Sequence, residues 1–152
     1  MFIHKVCNAF EQAKILYAVV GGYAVALHGA PRGTLDIDFV LRWSLENLEK
    51  AEAALKALGL VSVIPVDAQA IFTFRDEYIK NKNLIAWHFY NPVNPSEQVD
   101  IIINYDLAKA TTKTVQTQSG KIKIMSKNDL IAMKRISGRL QDLEDIKSLE
   151  QV

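Results

Sequence analysis

The sequence has a single cysteine, Cys7, so no intrachain disulfide can form and a secreted fold stapled by disulfides is excluded. A reducing cytoplasm is the expected setting. Cys7 falls on an apolar stripe with Phe2, Ile3, Val6 and Phe10, where a free thiol behaves as a small hydrophobe. No run approaches the roughly 18 apolar residues of a membrane span, and the first residues lack the charged-then-apolar order of a signal peptide. Neither sign of charge dominates. Eighteen Lys and Arg against seventeen Asp and Glu leave +1, which excludes a uniformly basic surface and demands a local patch for any nucleic-acid contact. There is no Gly-x-x-x-x-Gly-Lys-Ser/Thr loop, so a P-loop ATPase is unsupported. His4, His28 and His88 show no zinc-ligand spacing with the lone cysteine. Internal repeats, low-complexity tracts and Gly/Ser linkers are also missing.

What is present is an ordinary globular profile. The chain has 152 residues, 49% apolar and 23% charged, which suits one domain over residues 1–152 with a single core. Residues 2–14 carry apolar positions at helical spacing. Tyr17–Val20 reads as a short buried strand ending at Gly21-Gly22, and Tyr23–His28 as a helix that Gly29, Pro31 and Gly33 break. Asp36–Leu41 suits a strand, after which Ser44 opens a helix that Gly59 closes. Strands are expected at 61–66, 71–75, 84–90 and 99–103, with a turn at Asn91–Ser96 and a hairpin over 111–125. Helices over 126–150, divided near Gly138, complete an α/β (α+β) chain: a mixed central sheet with flanking helices.

The span from Val19 to Asp38 carries the chemistry. A strand that ends in Gly21-Gly22 and enters a helix lets backbone N–H groups approach phosphate oxygens unobstructed, although a plain tight connection uses the same residues. Asp36 and Asp38, two apart on one strand, present both carboxylates on one face while Ile37 points to the core. Such a pair is either a solvated strand edge or a cation site, because adjacent ionised carboxylates repel. Asp100, inside Val99-Asp-Ile-Ile-Ile103, needs a basic partner or a metal. Together the three suit Mg²⁺, and two ions ~4 Å apart would serve phosphoryl chemistry. His28 reads as a packing residue, and alternating Trp87-His88-Phe89-Tyr90 as sheet packing or a base-stacking strip.

Gly21-Gly22, thirteen intervening residues and Asp36-Ile-Asp38 resemble the signature of the DNA polymerase β-type nucleotidyltransferase superfamily, with Asp100 in place of its third Asp. Ala24 and Arg32-x-Thr34-x-Asp36-x-Asp38 are similar to abortive-infection nucleotidyltransferases, toxins of type IV toxin–antitoxin systems, and to small antibiotic nucleotidyltransferases. Asp129–Lys134 and Arg139–Ile146 resemble the helical segment these families carry after the sheet. The likeness covers about half the chain; residues 60–96 match nothing in it.

The resemblance implies a nucleotidyltransferase-like fold and a Mg²⁺-dependent transfer of a nucleoside monophosphate from an NTP, with release of pyrophosphate. Asp36 and Asp38 would hold both metal ions, and Asp100 the catalytic one. Gly21, Gly22, Arg32, Thr34 and Lys134 would face the nucleotide, with Arg139 and Asp142 paired in support. The implied acceptor is an RNA or tRNA end, a small-molecule hydroxyl or a protein, and an antitoxin partner goes with the toxin likeness. Lys121, Lys123, Lys127, Lys134 and Arg135 form the candidate RNA patch. Two other classes remain open: a catalytically silent nucleotide- or partner-binding module, and a metal-dependent phosphodiesterase.

Overall fold

The computed structural model describes all 152 residues. Helix α1 (Phe2–Gln12) buries Ile3, Val6, Cys7 and Phe10, the stripe read from the sequence. Strand β1 (Tyr17–Val20) is buried on both faces and runs straight into α2 (Gly21–Leu27). After β2 (Ile37–Leu41), the Ser44 side chain accepts the Asn47 N–H and so caps α3 (Leu45–Ala57). Then come β3 (Val61–Ser62), α4 (Ala68–Thr73), α5 (Arg75–Asn81), β4 (Ala86–Tyr90) and β5 (Gln98–Ile102). A short 3₁₀ turn at Leu107–Lys109 precedes the hairpin β6 (Thr112–Thr117) and β7 (Gly120–Met125), and α6 (Lys127–Ser137) and α7 (Leu140–Glu150) finish the chain. No helix is long and apolar enough to cross a membrane.

The strands form one mixed sheet of seven, ordered β3-β4-β5-β2-β1-β7-β6. β1 lies antiparallel to β2, so the end of β1 meets the start of β2, with Val20 opposite Asp38. β2 lies parallel to β5, with Asp38 opposite Asp100. β4 returns antiparallel to β5 and sets His88 opposite Asp100. Three strands thereby deliver their polar residues to one place near the middle of the sheet. The core is a single apolar cluster in which Phe10, Tyr17 and Phe39 meet with ring centroids 4.9–5.8 Å apart. Cys7 is fully buried there, and burial pushes its thiol up to about 12, so it stays protonated and inert.

Four expectations change. The strand expected at 71–75 is helical, split between α4 and α5. Ile71-Phe-Thr-Phe74 has strand-like composition, but only Ala68 and Ile71, three apart, are buried. Carboxylates also satisfy the first donors of α4: Asp67 accepts the Ala70 N–H, and Glu52 accepts the Ala68 N–H. The strand expected over 61–66 stops at Ser62, because the chain bends over 63–65, where Pro65 has no N–H with which to extend the ladder. Asp36 stands just before β2 rather than on it, and α2 begins at Gly21, not Tyr23.

Candidate active site

Gly21 and Asp38 define the centre. Gly21 has φ +67°, a left-handed backbone, and an added Cβ would sit 2.9 Å from Asp38 Cγ and closer still to Oδ2. At Gly22, the same atom would meet Thr34 Cβ at 2.9 Å and the Arg32 guanidinium carbon at 3.2 Å. Both glycines therefore let protein atoms pack where a side chain would be: Asp38 against one, the Arg32–Thr34 loop against the other. Gly21→Ala is expected to cost about 1–2 kcal/mol for the backbone alone and to push Asp38 aside. A displacement of that kind lowers transfer ~100-fold. A melting curve and a label-transfer assay of that variant check this, and an unchanged rate would refute it.

Asp36, His88 and Asp100 have ligand-bearing atoms all within 4.8 Å of one another. Asp38 lies beside them, across the β2–β5 ladder from Asp100. Burial, then the neighbouring Asp100 and Asp36 carboxylates, push the Asp38 carboxyl up to about 7, partly offset by Lys134. No Lys or Arg forms an ion pair with Asp36, Asp38 or Asp100; the side-chain partner there is His88, whose Nδ1 lies 2.6 Å from Asp100 Oδ1. The basic-partner alternative for Asp100 thus resolves to a histidine. His88 is the functional candidate that the sequence reading passed over, having been set among alternating sheet residues. Its signal was there: a turn over 91–96 between two strands brings 88 beside 100.

The nearby basic side chains are spent on α7. Lys134 is buried, with Nζ 2.8 Å from Asp145 Oδ2 and 3.5 Å from Asp142 Oδ1. Arg32 donates from Nε to Asp145 Oδ1 at 3.0 Å and from a terminal nitrogen to the Gly33 carbonyl. Arg139 donates from Nε to Asp142 Oδ2 at 2.8 Å while Asp142 also accepts the Arg139 N–H, so one carboxylate ties both groups at the start of α7. Burial pushes the Asp142 and Asp145 carboxyls up, yet these hydrogen bonds and charges hold both below the usual carboxylate range. The Arg139–Asp142 pairing and the shared face of Asp142 and Asp145 match the sequence reading. Lys134, expected to face phosphates, is instead an internal counter-ion. The expected RNA patch is thinned accordingly, since Lys123 also pairs with Glu11 at 3.5 Å. His28 packs as expected, bonded through Nε2 to the Met125 carbonyl at 2.8 Å.

No family model matches the sequence, and no curated protein does. Solved structures do match. An antigenic nucleotidyltransferase-like protein from Paracoccidioides brasiliensis aligns over 97% of this chain and 72% of its own, at 21% identity and a TM-score of 0.61. ANT(2″)-Ia, in complex with adenylyl-2″-tobramycin, aligns over 97% and 84%, at 15% identity and a TM-score of 0.60. The lincosamide antibiotic adenylyltransferase LnuA, bound to lincomycin, aligns over 94% and 90%, at 19% identity and a TM-score of 0.58. The architecture is the nucleotidyltransferase fold, the one the sequence motifs implied.

Proposed function

We propose that the protein is a divalent-cation-dependent nucleotidyltransferase, moving a nucleoside monophosphate from an NTP to an acceptor oxygen with release of pyrophosphate. One observation carries the reading: three carboxylates, Asp36, Asp38 and Asp100, converge without a Lys or Arg, while the surrounding cations are bound to Asp142 and Asp145. Unneutralised acids in such proximity are costly unless a cation joins them, and a carboxylate-rich set of this kind suits a divalent cation such as Mg²⁺. Asp36, Asp38 and Asp100 would hold such an ion, and its charge would supply neutralisation of the donor phosphates and activation of the attacking oxygen.

The chain's own contribution is placement and charge. Gly21 leaves the space that the Asp38 side chain fills, and the Thr34 hydroxyl donates to the Asp36 carbonyl at 3.3 Å, bracing the turn that carries Asp36. The backbone at Gly21-Gly22 and the Arg32–Thr34 loop form the donor side. Arg139, held by Asp142 but with its side chain largely exposed, also feels the charge of Asp38. Asp100 accepts the acceptor proton, held in orientation by His88. Positioning and charge neutralisation are what this class of transfer chiefly requires.

Because the likeness to ANT(2″)-Ia and LnuA includes small-molecule acceptors, a drug-sized hydroxyl compound is the acceptor we favour. RNA, protein and a toxin role with an antitoxin become arms of the assay. Purified protein with each labelled NTP and Mg²⁺ is given an aminoglycoside, a lincosamide, total RNA or a protein extract. Label on a small molecule is the expected result. Label on RNA or protein moves the acceptor but keeps the transfer, whereas shortened RNA without label overturns it in favour of a phosphodiesterase. NTP binding with neither product points to a silent module.

A further inference from the structure

We propose that His88 is itself a metal ligand, so that Asp36, His88 and Asp100 make a mixed nitrogen–oxygen position that takes a transition ion such as Mn²⁺ in preference to Mg²⁺. This rests on the transfer reading above and adds to it a ligand and an ion preference.

The geometry is specific to His88. His4 is tied to Thr117 Oγ1 and His28 to the Met125 carbonyl, both away from the carboxylates. His88 alone has a site carboxylate as its partner, and its side chain makes no other hydrogen bond. Its backbone is locked: β4 pairs with β5 through it, and its carbonyl accepts the Val63 N–H at 3.0 Å. Trp87 and Phe89 on either side are fully buried, so the pleat sends the residue between them to the opposite face, toward Asp100. His88 Nδ1 and Asp100 Oδ1 are 2.6 Å apart, while neighbouring ligands on an octahedral ion with bonds of about 2.1 Å lie about 3 Å apart. A small outward shift converts the hydrogen-bonded pair into two ligands, the cation replacing the shared proton. Asp36 lies within the same 4.8 Å set, whereas Asp38 is kept to one side against Gly21.

Ligand chemistry then sets the ion. Mg²⁺ prefers oxygen in near-ideal octahedral geometry, whereas imidazole favours transition ions; Mn²⁺, the weakest binder of that series, takes carboxylates readily and is the paramagnetic ion with which the preference over Mg²⁺ is read. Wild-type protein is titrated with Mn²⁺ and with Mg²⁺, each with and without a non-hydrolysable ATP analogue, and the Mn²⁺ complex is read by pulsed electron paramagnetic resonance. The expected result is hyperfine coupling to a directly bound imidazole nitrogen that changes when the histidines are isotopically labelled. In His88→Gln the coupling disappears, and Mn²⁺ affinity falls about tenfold or more with Mg²⁺ affinity little changed. Isotope labelling of the wild type decides the question even if that variant fails to fold. Mn²⁺ binding that Asp36→Asn abolishes, but with no nitrogen coupling, overturns the role of His88 and leaves nucleotidyl transfer standing. Absence of any such binding overturns both.

Discussion

Asp38→Asn abolishes transfer, by ~10³-fold or more, and at the same time stabilises the protein in EDTA at neutral pH. Both results come from one cause. The Asp38 carboxyl is pushed up to about 7 by its burial and by Asp100 and Asp36. An unfolded Asp titrates near 3.9, so the folded chain binds the extra proton between these values. Stability therefore falls as pH rises from about 4 to about 7, and the loss is complete above the folded value. Asn carries no charge and removes that penalty, but it also removes a cation-binding oxygen. In thermal melts the wild type in EDTA should lose stability from pH 5 to pH 8, and added Mg²⁺ or Mn²⁺ should restore it. The variant should lose most of this fall between pH 5 and pH 8, and an added cation should stabilise it less than it stabilises the wild type. A pH-insensitive wild type, or a variant with normal transfer, would contradict this account of Asp38.

Lys134→Met has the largest expected effect on stability, about 3 kcal/mol. Removing one member of a buried ion pair commonly costs about 3–5 kcal/mol, because the partner charge is left behind. The lower end applies because Asp145 keeps Arg32 and Gln141, and Asp142 keeps Arg139. For a chain of this size the melting temperature should drop by about 6–12 °C. The pH dependence gives the mechanism away. Asp142 and Asp145 are held below the usual range, so their contribution is present above about pH 4 and is lost as pH falls through their folded values. The variant has already lost much of it at pH 7, so the gap to wild type should narrow as the solution is acidified. A gap that is constant with pH would mean the lysine stem, not its charge, holds α6 to α7.

Several of these features are legible in the sequence alone. The stripe of α1, the Ser44 cap, the short buried strand before Gly21 and the hairpin at 112–125 follow from local spacing, and the structure carries each of them. Their signals lie within a few residues of one another. Residues 71–75 show where local preference fails: an aromatic, β-branched run is helical because it continues a helix whose first donors, at Ala68 and Ala70, are taken by Glu52 and Asp67. Glu52 lies on a different element, so no reading of the run itself could have found it.

The site divides along the same line. Sequence alone singled out Asp36, Asp38 and Asp100 as candidate acids, from the close spacing of the first two and from a charge amid Val99 and Ile101 that demands a partner. Only the tertiary structure decided what those partners are. Placing His88 beside Asp100 depends on the register of β4 against β5, which the Asn91 N–H to Glu97 carbonyl bond helps to fix; a slip of one residue would turn it to the other face. Lys134 was read as a phosphate contact and became a counter-ion because α7 folds back and buries two carboxylates against it. The residue types and their short spacing are written in the chain, but which charges neutralise one another is set by distances between elements far apart in sequence.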